Sequence, residues 1–207
     1  YGWSEQVISL TNLRRSYAEI PDLYTPMLGD MVSGDIHLEL TRTNQDHIMG
    51  QMIQGANLIA QALVKVSSQF ENVYVPCVVG NHGRMTQKPT AKNHYVDFDY
   101  MLFQWCAAFC KNQTNIHFEI PKSFLHTFEV AGHTILIMHG DSVKSWQGIP
   151  YYGLLRSVAQ LRQSLQMRRE LEKRLQTFSG SVNTLLLTLS EYFDSMIVGH
   201  FHSQNEL

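Results

Sequence analysis

Four apolar runs in this sequence each stop at residues able to hold a cation or move a proton. Met27-Leu28 runs into Gly29-Asp30, and Val78-Val79 into Gly80-Asn81-His82-Gly83-Arg84. Ile137-Met138 runs into His139-Gly140-Asp141, and Ile197-Val198 into Gly199-His200-Phe201-His202. One such ending has a purely local explanation, because strands commonly stop at polar turn residues. Its recurrence at four strand ends points to a site, since open α/β sheets bind ligands at the carboxyl ends of their strands. The donors are carboxylate, amide and imidazole, a set that suits manganese, iron or zinc rather than a thiolate structural centre. Asp30, Asn81, His139, His200 and His202 are the candidate ligands, to be assembled on one sheet edge. Arg84 carries a fork of donors suited to clamping a phosphate oxygen.

The elements that must position these residues are legible from periodicity. Leu10, Leu13 and Tyr17 recur at helical spacing and predict a short helix before Pro21. Residues 23–28 read as a strand, against which Pro26 counts because it cannot donate to a ladder. Residues 31–37 read as a loop, with Asp35 and His37 in it. A helix is predicted over 44–70, its apolar stripe formed by Ile48, Met52, Leu58, Ala62 and Val66, followed by a strand over 73–79. The segment 97–111 predicts a helix whose aromatic residues serve the core. Residues 116–120 alternate as a strand, and 124–130 with 134–138 predict a hairpin turning at Ala131-Gly132. A long helix over 151–178 carries Leu154, Val158, Leu161, Leu165, Leu171 and Leu175 on one side. Ser179-Gly180-Ser181 punctuates it, a further helix follows over 182–192, and 196–198 is the last strand. Parallel strands beside a hairpin predict an α/β fold with a mixed sheet.

The chain has 207 residues, 44% of them hydrophobic and 16% charged, with a formal net charge of −2. These values suit a single domain with a full core, residues 1–207, and exclude a disordered or globally basic protein. Arg156, Arg162, Arg168, Arg169, Lys173 and Arg174 of the long helix, set against Glu170 and Glu172, are a solvated face or the best local basic surface for binding phosphates. Cys77, Cys106 and Cys110 are odd in number and lack close paired spacing, which fits buried thiols in a reducing compartment. With no apolar run long enough to span a membrane, the cytoplasm is the expected location.

Taken in order, Gly-Asp, Gly-Asn-His, His and Gly-His-x-His resemble the calcineurin-like metallophosphoesterase family across about residues 22–202. The resemblance implies an αββα sandwich with its metal site at strand carboxyl ends. It implies two divalent metal ions, manganese first with iron, zinc or magnesium as alternatives. Asp30 would bridge them, Asn81, His139 and His200 would complete one site, and His202 would join the other. It also implies that His82 protonates the departing alkoxide. The family's opening Asp-x-His is not found before Asp30, so the sequence is expected to be a fragment shortened at both ends. Asp35-Ile36-His37 repeats the form of that motif in the wrong order; His37 is read instead as a rim residue near bound phosphate, with a plain loop as the equal alternative. The protein Ser/Thr phosphatase branch, with Gly-Asp-x-x-Asp-Arg-Gly, is disfavoured because Ser33-Gly34 stands here.

The expected function is therefore a metal-dependent phosphodiesterase of nuclease type acting on DNA, RNA or a nucleotide. A phosphomonoesterase or nucleotide phosphatase is the alternative enzyme. A scaffold with a degenerate site, assembling as a homo-oligomer through the 151–178 helix, is the alternative from another class.

Overall fold

Apolar strands too short to bury themselves alternate along the chain with helices that have one apolar face, and each strand set closes against its helix. The computed structural model describes residues 2–88, 94–144, 150–178 and 193–201. The chain divides into two units, Tyr1–Phe124 and Leu125–Leu207. Both contain helix and sheet, so the α/β class expected from periodicity is observed.

The first unit contains α1 (Gly2–Arg14), β1 (Asp22–Tyr24), α2 (Leu38–Thr43), α3 (Ile48–Ser67), β2 (Asn72–Pro76), α4 (Phe98–Phe109) and β3 (Ile116–Glu119). Its sheet is parallel in the order β1-β2-β3, with Leu23 beside Val73 and Val73 beside Ile116. Parallel neighbours need crossover connections, which α3 and α4 supply. Met52, Ala56, Ala60, Leu63 and Val66 of α3 meet Val73, Val75, Leu102, Phe103 and Cys106 in one buried cluster. Small residues let α3 and α4 approach closely, and the Cys106 thiol lies 3.5 Å from the Ala56 carbonyl oxygen.

Three expectations are corrected here. Leu58 is 61% exposed rather than part of the α3 stripe, because six residues beyond Met52 carry it about 240° around the helix axis. Asn44 ends α2, its amide donating to the Leu40 carbonyl oxygen, and α3 starts only at Ile48. The strand expected over 23–28 is regular only over β1 and resumes as a bridge between Met27 and Cys77. The donors toward β2 are the amides of Thr25 and Met27. Proline at 26 therefore interrupts the edge strand without removing a ladder bond.

The second unit contains β4 (Leu125–Val130), β5 (His133–Met138), α5 (Tyr151–Phe178) and β6 (Ser195–Val198). Its sheet runs β4-β5-β6, antiparallel across the first pair and parallel across the second. Ala131 and Gly132, both at positive φ, join Val130 to His133, the two-residue connection that matches strand twist. Leu154, Val158, Leu161 and Leu165 pack along α5 against Leu125, Leu136, Met138, Val143 and Phe193, as their spacing predicts. The side chains of Leu171 and Leu175, the turn at 179–181, the helix expected over 182–192 and His202 lie outside the described residues. Among the described residues no helix is long and apolar enough to cross a membrane.

The mixed pairing expected of one sheet is thus divided between a parallel sheet and a mixed one. Phe103 is fully buried at the centre of the first unit's core. Phe103→Ala is expected to cost about 3–5 kcal/mol of unfolding free energy. Urea titration measures it, and a loss below about 1 kcal/mol would contradict this placement.

Candidate functional site

The candidate residues do not share one sheet edge. Asp30 and Asn81 follow strands of the parallel sheet, whereas His139 and His200 follow β5 and β6 of the mixed sheet. All four stand beyond carboxyl ends of strands within their own unit.

In the first unit the chain turns sharply after β1 through Gly29 (φ 83°) and Asp30 (φ 54°). Aspartate tolerates that left-handed backbone better than most residues. Asp30 Oδ1 accepts the backbone N–H groups of both Asn81 and His82, each at 2.9 Å. The turns interlock so tightly that a Cβ on Gly29 would overlap the Gly80 backbone, and one on Gly80 would overlap Asp30. Glycine at these positions is required by close approach.

His82 Nδ1 lies 2.7 Å from the Ser33 carbonyl oxygen. A carbonyl only accepts, so Nδ1 carries the hydrogen and Nε2 is left as the nitrogen that exchanges a proton. The His37 ring meets the His82 ring edge-on with centroids 5.7 Å apart, and Asp35 beside it is exposed. Arg84 Nε donates to the Asn81 carbonyl oxygen at 3.0 Å, which fixes a positive charge beside this turn.

Two residues essential to this arrangement escaped the sequence reading. Asp99 is fully buried, and its carboxylate accepts the backbone N–H groups of Asp30 (2.8 Å), Gly80 (2.9 Å) and Met31 (3.1 Å). Asp97 caps α4 by accepting the Asp99 amide at 2.8 Å. Burial pushes both carboxyls up, against the three amides that favour the Asp99 anion. Asp97 is pushed up to about 7, by burial first and by the Asp99 charge second. Asp97-Phe98-Asp99 ahead of an apolar run is readable as a helix start. Its contact with a turn 69 residues away is not.

In the second unit His139 is buried directly after β5, and His200 follows β6 at φ 66°. The Phe201 amide donates to the Gly199 carbonyl oxygen at 2.7 Å, closing a three-residue turn around His200. Such a turn with positive φ at a non-glycine residue is rare and strained. It brings His200 Nδ1 to 3.2 Å from His139 Nε2, with the rings at 72°. Two ring nitrogens this close must either share a hydrogen or turn both lone pairs on a cation. A Cβ on Gly140 would overlap Val198, so the segment after His139 is also shaped by close packing. Asp141 is exposed one residue further on.

Comparison of the chain with protein-family models, with curated proteins and with solved structures finds no match.

Because Asp97 is raised from 3.8 to about 7, the folded protein retains a proton between those values that the unfolded chain has released. The contribution of this group to stability therefore falls as pH rises through that window. Asp97→Asn keeps the capping oxygen and removes the titration. The variant's melting midpoint is expected to fall less than the wild type's between about pH 5 and 7.5. Parallel profiles would contradict the assignment.

Proposed function

We propose that this chain is a divalent-metal-dependent phosphodiesterase of nuclease type with a metallophosphoesterase sandwich fold. The observation that carries the reading is the approach of His139 Nε2 and His200 Nδ1, obtained at the cost of a strained turn at His200. Strain of this kind persists where the surrounding structure over-determines the backbone, and it clusters at functional sites. Imidazole and carboxylate donors fit manganese first, with iron, zinc or magnesium as alternatives. The proposed ligands are Asp30 and Asn81 in the first unit and His139 and His200 in the second, with His202 outside the described residues, and two ions are proposed. When bound, the metal supplies Lewis acidity that activates water for attack and neutralises phosphate oxygens.

The chain's own residues account for the remaining needs of ester cleavage. As the P–O ester bond breaks, the departing alkoxide takes a proton from His82 Nε2, an atom aimed by the Nδ1–H bond to Ser33. Arg84, tethered to Asn81, attracts a phosphate oxygen toward the same turn. His37, edge-on to His82, lines the rim where substrate enters. Arg156 and Arg162 are exposed on α5 and offer charge to a polyanion.

The first test is manganese content after loading and removal of excess ion. Wild type is expected to retain metal and His200→Ala to lose it; a wild type that retains none favours the scaffold reading. Turnover of bis-p-nitrophenyl phosphate should exceed that of p-nitrophenyl phosphate, and preference for the monoester would replace the nuclease reading with a phosphatase. His82→Ala is expected to lower turnover about 10²–10⁴-fold with metal content unchanged. Loss of metal in that variant would mean that His82 is not the proton donor assigned here.

A further inference from the structure

Asp99 makes its polar contacts where the proposed chemistry is, although it stands in the first turn of α4. Its Oδ2 accepts the amides of Asp30 and Gly80, and its Oδ1 accepts that of Met31. These amides belong to two turns about fifty residues apart in sequence, one after β1 and the other after β2. We propose that Asp99 is a positioning residue whose carboxylate latches the two turns together in the metal-free protein, prealigning Asp30, Asn81 and His82. The latch is inferred from these hydrogen bonds and not from any activity; its consequence for metal rests on the phosphoesterase reading.

An acceptor-only group is what this position needs. Three N–H donors converge on it, and charge-assisted bonds to a carboxylate are shorter and stronger than neutral ones. The positive end of the α4 dipole offsets part of the cost of burying the anion. An apolar side chain there would stabilise the core at lower desolvation cost but would leave three amides without an acceptor. What the carboxylate contributes is position. The latch has a second stage, because Asp30 Oδ1 in turn holds the amides of Asn81 and His82. Freeing the Asp30 backbone from Asp99 would therefore displace a proposed ligand carboxylate and the turn bearing the proposed acid together.

Asp99→Asn is the informative substitution, since it keeps size and removes one acceptor. Both oxygens are engaged, so either amide orientation sets an N–H against an N–H. Amide hydrogen exchange on the metal-free full chain reads the latch directly. In Asp99→Asn the amides of Asp30, Met31 and Gly80 are expected to exchange at least about tenfold faster, with Val73 and Val75 of β2 unchanged. Manganese affinity should fall about 10–100-fold, the usual effect of losing a group that orients a ligand. Asp22→Asn, at the amino end of β1, should alter neither. A folded Asp99→Asn protein with unchanged exchange at the three amides would overturn the proposal. So would acceleration spread equally over β2, which marks general destabilisation. If the variant does not fold, wild type decides: protection of the three amides comparable to that of β2 supports the latch, and exchange as fast as exposed turns overturns it. Wild type that retains no manganese would sink the phosphoesterase reading while leaving the exchange result to judge Asp99.

Discussion

The carboxylate of Asp99 is the constraint on which the first unit's candidate site depends. Three backbone amides from two turns end on its two oxygens, and Asp99 itself is fully buried. Without that acceptor the buried Gly80 amide would be left unpaired, a cost of about 1–3 kcal/mol, and the part-buried amides of Asp30 and Met31 would lose their partner as well. The position of Asp99 is itself secured by packing, since Leu102, Phe103 and Cys106 of the same helix are buried against α3 and β2. The apolar core thus reaches the polar turns through one helix start. Asp97 caps that helix and adds a second buried carboxyl, so the turns rest on groups whose protonation is linked to their burial.

Left-handed backbone at non-glycine residues is confined to a few turns among the described residues. Among the described residues the non-glycine positive-φ positions are Asp30, Ala131 and His200. Ala131 is explained by its hairpin, where both central residues need positive φ. Asp30 and His200 lie outside any hairpin; aspartate tolerates the left-handed region better than most residues, and such positions cost up to about 1–3 kcal/mol each. Asp30 recovers part of that cost through the amides of Asn81 and His82. His200 is held by the tight turn from Gly199 to Phe201 and stands against His139. Their coincidence with proposed ligands is what a preorganised metal centre would produce.

The two units solve the same problem with different pairings. In the parallel sheet, crossover helices bury one strand face and leave the loops at the carboxyl ends to carry polar groups. In the mixed sheet, a hairpin sets the register of β5 and a parallel neighbour brings β6 beside it, so the segments after Met138 and Val198 emerge side by side. The imidazole pair follows from that register: Met138 is the partner of Val198, and His139 and His200 come just after them.

Much was legible from sequence because it depends on short-range pattern. Helical spacing marked α3, α4 and α5, alternation with a two-residue turn marked the β4–β5 hairpin, and abrupt polar endings showed that Asp30, Asn81, His82, His139 and His200 stand beyond strand ends. Where pattern misled, the reason was local as well: the Leu58 error came from irregular spacing, and Pro26 truncates a strand without leaving it. The linear order of residues could not reveal that Asp99 reaches back 69 residues to Asp30, nor that strand ends expected on one edge belong to two sheets. Side-chain type and spacing determine which residues can donate, accept or ligate. Tertiary structure decides which buried carboxylate meets which amides, because that depends on how helices and strands distant in sequence pack together.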